Sequence, residues 1–449
     1  KEPAAGMFND WNPYERNHWG YMPTFFMAPE SYYATDGTDK PNAWNGIEGR
    51  AVPEMKEMVK SLHKEGIAVI LDIVVNHISN YDWHPLKYID KSVYFKLDHD
   101  GNYLSQCCGN LLNTDHDKVR QYIIESLKHW MTEYHIDGFR FDQAHLLSAE
   151  TATLIRNDLQ QINHDVIIYG EAWDEREKEF SNLGWGSFNA RFRDVLRGDL
   201  HNYNDKGFLF GNFRNGENLN TLKSIITGTP DIYQNSSHVV NFLEVHDDYC
   251  FNDYLRLSSK KNSKDDVIND PMIHIELDDD LLRMNKLGAL FLMTSQGIPL
   301  IHQGQDWAHS QIIAKTDANE PNVGKMDRNP YNKDNETNWV NWLEKEQNID
   351  LVNYYSGLIQ LRRSIIEFRH TKPTDFKFQG LSENALGYVI HNRVAVYING
   401  DSKKSISTEL PKGEWMLVAD NQIVNLNGIQ TLSGKIDIPP TSGIVLIKQ

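Results

Sequence analysis

Four strand-like apolar segments in this chain end in acidic or imidazole side chains. VIL and IVV run out into Asp72 and His77, GFRF into Asp142, VIIYG into Glu171, and NFLEV into His246, Asp247 and Asp248. One ending of this kind reads as a solvated loop acid. Four of them point to a shared site, because parallel strands closed into a barrel gather the residues at their C-terminal ends around one cleft. Several carboxylates in one cleft suit the hydrolysis of a glycosidic bond. One carboxylate attacks or stabilises an oxocarbenium-like centre, and a second, protonated, helps the leaving oxygen depart.

The neighbours sort these two roles. Arg140 lies two residues before Asp142, so an extended strand puts both on one face, where a guanidinium keeps the carboxylate ionised as a nucleophile requires. Glu171 stands among Tyr169, Ala172 and Trp173, and partial desolvation there would suit a proton donor near neutral pH. Trp173 itself fits two roles, packing against a barrel rim or stacking on a sugar. Asp72 lies inside its strand, placed either to orient neighbouring groups or to touch substrate. Other chemistries have less support. No helix carries an HExxH pair, His77 and His246 are widely separated, and no GxSxG turn offers a nucleophilic serine.

The elements that must position these side chains alternate between amphipathic helical patterns and short β-branched runs, the α/β pattern of a parallel sheet. Residues 51–65 place Met55, Met58, Val59 and Leu62 at helical spacing, Gly66 stops the helix, and IAVILDIVV reads as a buried strand ending at Asn76 and His77. Helices over 117–134 and 149–162 lead into the strands IDGFRFD (136–142) and DVIIYGEAW (165–173). Further strand candidates are GWGSFN (184–189), HVVNFLEVHDD (238–248) and, after an apolar helix at 279–296, IPLIHQGQD (298–306). These are six strands where a (β/α)8 TIM-type barrel needs eight. The expectation is a barrel domain over 1–370 whose first two strands lay before Lys1, so that the chain reads as a fragment or processed piece. A long irregular excursion over 78–113 follows the third barrel strand and helps wall the site. Beyond the helix at 352–369 the runs NALGYVIHN, RVAVYING, GEWMLVAD and SGIVLIK predict a separate all-β sandwich over 371–449.

The 449 residues carry 45 basic against 62 acidic side chains, a formal net charge of -17 that repels phosphate backbones and anionic lipid heads. Nucleic acid is therefore not the expected partner. No run of about eighteen apolar residues marks a membrane span. Cys107, Cys108 and Cys250 are too few for a disulfide framework, so the compartment stays open, and the sequence does not fix the oligomeric state.

LDIVVNH, GFRFD, GEAW and NFLEVHDD, in this order, resemble the four signature segments of the α-amylase superfamily of glycoside hydrolases, at the ends of barrel strands three, four, five and seven. The likeness covers essentially the whole chain, including WGY (19–21) and IPLIHQGQD. It implies Asp142 as nucleophile, Glu171 as general acid/base and Asp247 as a third acid that grips the sugar ring. It also implies that Tyr21, as a stacking platform, and His77, Arg140 and His246 line the site of the sugar being cleaved. The stretches NHWGYMPTFFMAPESYY (17–33), CGNLLNT (108–114) and DRNPYNKDNETNWVNW (327–342) are most similar to the debranching enzymes of isoamylase and pullulanase type. GEAW departs from the GEGW or GEPW of those relatives, which weakens the α-1,6 assignment. The resemblance requires no organic cofactor and gives Asn76 as a candidate ligand for structural calcium. The substrate it implies is an α-glucan oligo- or polysaccharide. The rivals are an α-1,4-acting α-amylase or glucanotransferase with the same three acids, and a non-catalytic glucan-binding protein on the same fold.

Overall fold

The computed structural model describes residues 20–38, 45–79, 84–106, 109–173, 175–214, 216–316, 320–331 and 333–449. Trp19, Cys107 and Cys108 lie outside these. The chain divides into two units, one of residues 1–188 with 331–334 and one of residues 189–330 with 335–449.

In the first unit, helix α1 (Ala51–Lys64) ends where the sequence predicts. Gly66 takes a φ of 72°, and its N–H and that of Ile67 bond back to the carbonyls of His63 and Leu62 at 2.9 and 3.0 Å. A glycine accepts this left-handed turn at little cost. Strand β1 (Ile70–Ile73) follows. The excursion after it forms a small antiparallel sheet of β2 (His77–Ile78), β3 (Ser105–Gln106) and β4 (Gly109–Leu111), in the order β2-β4-β3. Two short helices, α2 (Leu86–Ile89) and α3 (Lys91–Tyr94), lie within it. Helix α4 (Asp117–Glu133) leads to β5 (Gly138–Phe141), and α5 (Ala149–Ile162) leads to β6 (Ile167–Gly170). Ser148 caps α5 by accepting the Thr151 N–H at 3.2 Å, which satisfies one of the donors a helix start leaves open. Helix α6 (Glu177–Asn182) and β7 (Gly186–Phe188) complete the unit.

Strands β1, β5, β6 and β7 pair in parallel in that order, with Asp72 opposite Arg140 and Arg140 opposite Tyr169. Phe139 and Phe141, on the other face of β5, are fully buried in a core with Val59, Ile123, Leu127 and Leu159. Expectation and structure differ at β1. The nine residues IAVILDIVV give a strand of four, and Leu71 and Ile73 are only half-buried. Among the described residues β1 pairs with β5 alone. Its apolar side chains border a cavity of about 570 Å³, lined in part by Phe25, Met55, Met58 and Trp130.

In the second unit, α7 (Ala190–Arg197) and α8 (Leu219–Ile226) precede β8 (Val239–Asn241). Helices α9 (Phe251–Ser258), α10 (Pro271–His274) and α11 (Asp279–Thr294) lead to β9 (Ile298–Pro299), which pairs with β8 in parallel. Asp278 caps α11 through the N–H groups of Asp280 and Leu281, both at 3.0 Å. Helices α12 (Trp342–Gln347) and α13 (Ile349–Ser364) follow. The helix expected over 352–369 ends at Ser364, where Ile365 turns extended and a 3-10 turn takes over.

From Phe376 onward the chain is all β, as expected. Strands β10 (Phe376–Ser382), β11 (Ala385–Ile390), β12 (Val394–Asn399), β14 (Trp415–Ala419), β15 (Gln430–Leu432) and β17 (Ser442–Lys448) form an antiparallel sheet in the order β10-β11-β12-β17-β14-β15. Strands β13 (Ile406–Glu409) and β16 (Lys435–Ile438) pair separately.

Candidate active site

The parallel register builds the first unit's polar cluster. Side chains two apart on a strand share a face, and paired residues on neighbouring strands lie side by side. Asp72, Arg140 and Tyr169 therefore form a row across β1, β5 and β6. Each acid sits one residue beyond its strand, where the ladder continues: Asp142 N–H donates to the Ile73 carbonyl at 2.9 Å and Glu171 N–H to the Phe141 carbonyl at 3.1 Å.

Arg140, 4% exposed, is the centre of the cluster. Its Nη1 donates to Asp72 Oδ1 at 2.8 Å and to Asp142 Oδ1 at 3.2 Å, and its Nη2 to Glu171 Oε1 at 2.6 Å. Burial opposes its charge, but Asp72 and Glu171, with Tyr21 and Asp142 behind them, outweigh burial and hold the guanidinium well above its ordinary pKa. Tyr21 donates its hydroxyl to Asp72 Oδ2 at 2.7 Å and its ring lies 5.5 Å from the guanidinium carbon. Burial and the Asp72 charge push the Tyr21 phenol far up, so it stays a donor.

Glu171 is buried, as expected, but its company is polar. Besides Arg140 it accepts the Gln143 N–H at 2.9 Å. Gln143 has a φ of 40°, a left-handed conformation that strains a residue with a side chain and turns its N–H toward the acid. Asn76 braces that turn, with Nδ2 donating to the carbonyls of Asp142 at 2.6 Å and Gln143 at 3.0 Å. Its Oδ1 meets His77 Nδ1 at 2.6 Å. A calcium cage needs six to eight oxygen ligands. The Asn76 oxygen is already engaged, and among the described residues the group of three or more His, Cys, Asp or Glu ligands that could hold a metal is Glu244, Cys250 and His309, elsewhere.

His77 is fully buried, and burial lowers its pKa to about 4 despite the Tyr21 carbonyl 3.0 Å from Nε2. The neutral ring has one N–H for two acceptors, so it donates to one of Tyr21 and Asn76 at a time. Trp173 stacks on Phe188 with centroids 6.3 Å apart, and Phe188 also lies 5.7 Å from the Arg140 guanidinium carbon. Sequence reading passed over Phe188 and Gln143. Their placement depends on cross-strand register and backbone conformation, which carry no motif.

In the second unit His246 and Asp247 follow β8, with Nε2 and Oδ2 3.6 Å apart. Asp248, at a φ of 63°, receives Arg328 Nε at 2.7 Å. Upstream of them Glu244 carries a network that sequence reading did not find.

Gly170 precedes Glu171 with no room for a side chain: a Cβ there would lie 2.7 Å from Ala144 Cβ and 2.8 Å from the Phe141 carbonyl oxygen. Gly170→Ala is expected to cost about 1–3 kcal/mol of stability, because the strand ladder must open to admit a methyl group. Urea denaturation of the two proteins checks this; an unchanged midpoint would contradict the close approach.

Comparison with known proteins follows the same lines. The family model described as alpha amylase, catalytic domain, matches residues 90–350. A pullulanase of Bacillus subtilis (strain 168) is 25% identical over 428 residues, covering 89% of this chain and 54% of its own length. Isoamylase 1, chloroplastic, of Arabidopsis thaliana is 28% identical over 408 residues, covering 79% and 47% respectively. The crystal structure of a pullulanase complexed with maltotetraose, from Anoxybacillus sp. LM18-11, superposes with a TM-score of 0.78 at 25% identity, over 97% of this chain and 61% of that one. The chain thus spans about half the length of the curated relatives it matches.

Proposed function

The chain belongs to the α-amylase family, and we propose on that premise that it is the catalytic part of a retaining α-glucan hydrolase that cleaves α-1,6 branch linkages. The observation that carries the reading is the single guanidinium of Arg140 gripping two strand-end acids, Asp142 and Glu171, from adjacent parallel strands. That arrangement suits the short carboxyl spacing of double displacement, about 5–5.5 Å in retaining enzymes. Asp142 attacks the anomeric carbon while Glu171, once protonated and released from Arg140 Nη2, gives its proton to the departing oxygen. Water then cleaves the glycosyl-enzyme with Glu171 as base.

Asp247 serves as the third acid, strengthening its hold on the sugar ring in the transition state, with His246 beside it. Tyr21 and His77 bound the sugar, and Trp173 contributes an aromatic face. Enzymes of this family need no organic cofactor. Among the described residues no helix is long and apolar enough to cross a membrane. The same reading gives a (β/α)8-type barrel domain, partial over 1–370, followed by a β-sandwich over 371–449. The half-buried Leu71 and Ile73 support a further strand beside β1. The debranching preference rests on the pullulanase and isoamylase relatives, and the maltotetraose complex supports an α-glucan substrate.

Incubation of the complete protein with pullulan and, separately, with an unbranched malto-oligosaccharide tests the linkage. Release of maltotriose from pullulan with the linear chain untouched is the expected result. Shortening of the linear chain would instead make this an α-1,4-acting amylase or transferase with the same acids. No turnover of either, under conditions where glucan binds, would favour a non-catalytic glucan-binding protein.

A further inference from the structure

We propose that Glu244 is a positioning residue for the reaction: clamped between His302 and His309, its carboxylate fixes the turn that presents His246 and Asp247. The inference rests on the reading of Asp247 as the third acid. Glu244 lies three residues before Asp247 and is fully buried, where a charge without partners is costly. Its partners are unusually complete. Oε1 meets His302 Nδ1 at 3.1 Å and His309 Nε2 at 2.9 Å, while Oε2 accepts the backbone N–H of Phe251 at the start of α9. The carboxylate thus stitches the chain at 244 to the chain at 251 and ties both to the segment following β9.

Buried Arg197 repeats the stitch on the backbone, its Nη1 on the Leu243 carbonyl and its Nη2 on the Tyr249 carbonyl at 3.3 Å. Cys250 Sγ donates to the His309 carbonyl at 3.1 Å, and Asn252 Nδ2 to the Ala308 carbonyl at 3.1 Å. The part of the turn lying between these anchors is Val245, His246, Asp247 and Asp248.

The clamp is ionic. Burial would raise the Glu244 pKa, but His309 and His302 reverse this and hold the carboxyl well below its usual range. Burial would likewise lower His309, and the Glu244 charge raises it instead. A charge-assisted contact of this kind is stiffer and more directional than a neutral one. An acid that stabilises a transition state must be held to a fraction of an ångström, so loosening the clamp costs turnover more than substrate binding.

The test measures kcat and KM on pullulan for Glu244→Gln in the complete protein, with Asp247→Asn alongside. Glu244→Gln removes the carboxylate on which both imidazoles close, and kcat is expected to fall about 30–100-fold with KM within about threefold. A folded Glu244→Gln protein with kcat within about threefold of the parent overturns the proposal, since a purely structural carboxylate would alter stability alone. If Glu244→Gln does not fold, the partly exposed His302 carries the test. His302→Ala should lose about tenfold in kcat and His302→Gln, which restores a donor, most of that loss; equal rates in the two overturn the proposal. Asp247→Asn separates the two readings. If it is inactive while the clamp variants are normal, the clamp falls and Asp247 keeps its role. If it turns over at the parent rate, the assignment of Asp247 falls first.

Discussion

Asp142→Asn is expected to lower kcat on α-glucans by about 10⁴-fold or more while leaving oligosaccharide affinity within a few fold. The structure explains why the variant should stay folded. The Asp142 backbone is anchored on both sides, with its N–H on the Ile73 carbonyl and its carbonyl on Asn76 Nδ2. An amide has the same shape, and its oxygen can still take the Arg140 Nη1 contact now made by Oδ1 at 3.2 Å. What it lacks is the anion that attacks the anomeric carbon. Steady-state kinetics with a maltosaccharide binding assay check both halves; a variant with near-normal turnover would remove Asp142 from the nucleophile's role.

Arg140→Met should be nearly as damaging, for a different reason. Removing the guanidinium leaves Asp72, Asp142 and Glu171 facing one another without the cation that touches all three. Breaking a buried ion pair by deleting one partner costs about 3–5 kcal/mol, and the same repulsion should misplace both reacting acids and cut kcat at least about 100-fold. Stability at pH 7 and in mild acid reports the mechanism. Protonation relieves repulsion among carboxylates, so the deficit relative to the parent should shrink as pH falls. A deficit that does not change with pH would mean that Arg140 matters for packing, not for charge. Arg140→Lys should rescue little activity, because one ammonium cannot span the three acceptors that a forked guanidinium reaches.

The strand-end acids were legible because two local rules reach them: apolar runs mark the strands, and the period of two puts Arg140 with Asp142. The helices at 51–64, 117–133 and 149–162 were legible to within a residue or so for the same reason. What sequence could not supply was register between strands. Glu171 was expected in apolar surroundings from Tyr169, Ala172 and Trp173, yet its closest partner, Arg140, lies 31 positions earlier on the neighbouring strand. Glu244 escaped for the same reason, since its imidazole partners are 58 and 65 positions away. Strands β13, β15 and β16 escaped because runs of three or four residues, such as ISTE and QTL, are too short to establish an alternating pattern.

Strand β5 behaves as a reading frame. Phe139 and Phe141 face the core while Arg140, with Asp142 just beyond, faces the acids. Loss or gain of one residue within it would exchange the two faces, turning phenyl rings toward the sugar and a guanidinium into the core. Point substitutions along this strand can be graded in severity, but a shift by one position destroys the site and the core together. Variation in length can therefore be absorbed by the long excursion over 78–113, and not by the four residues of β5 that precede Asp142.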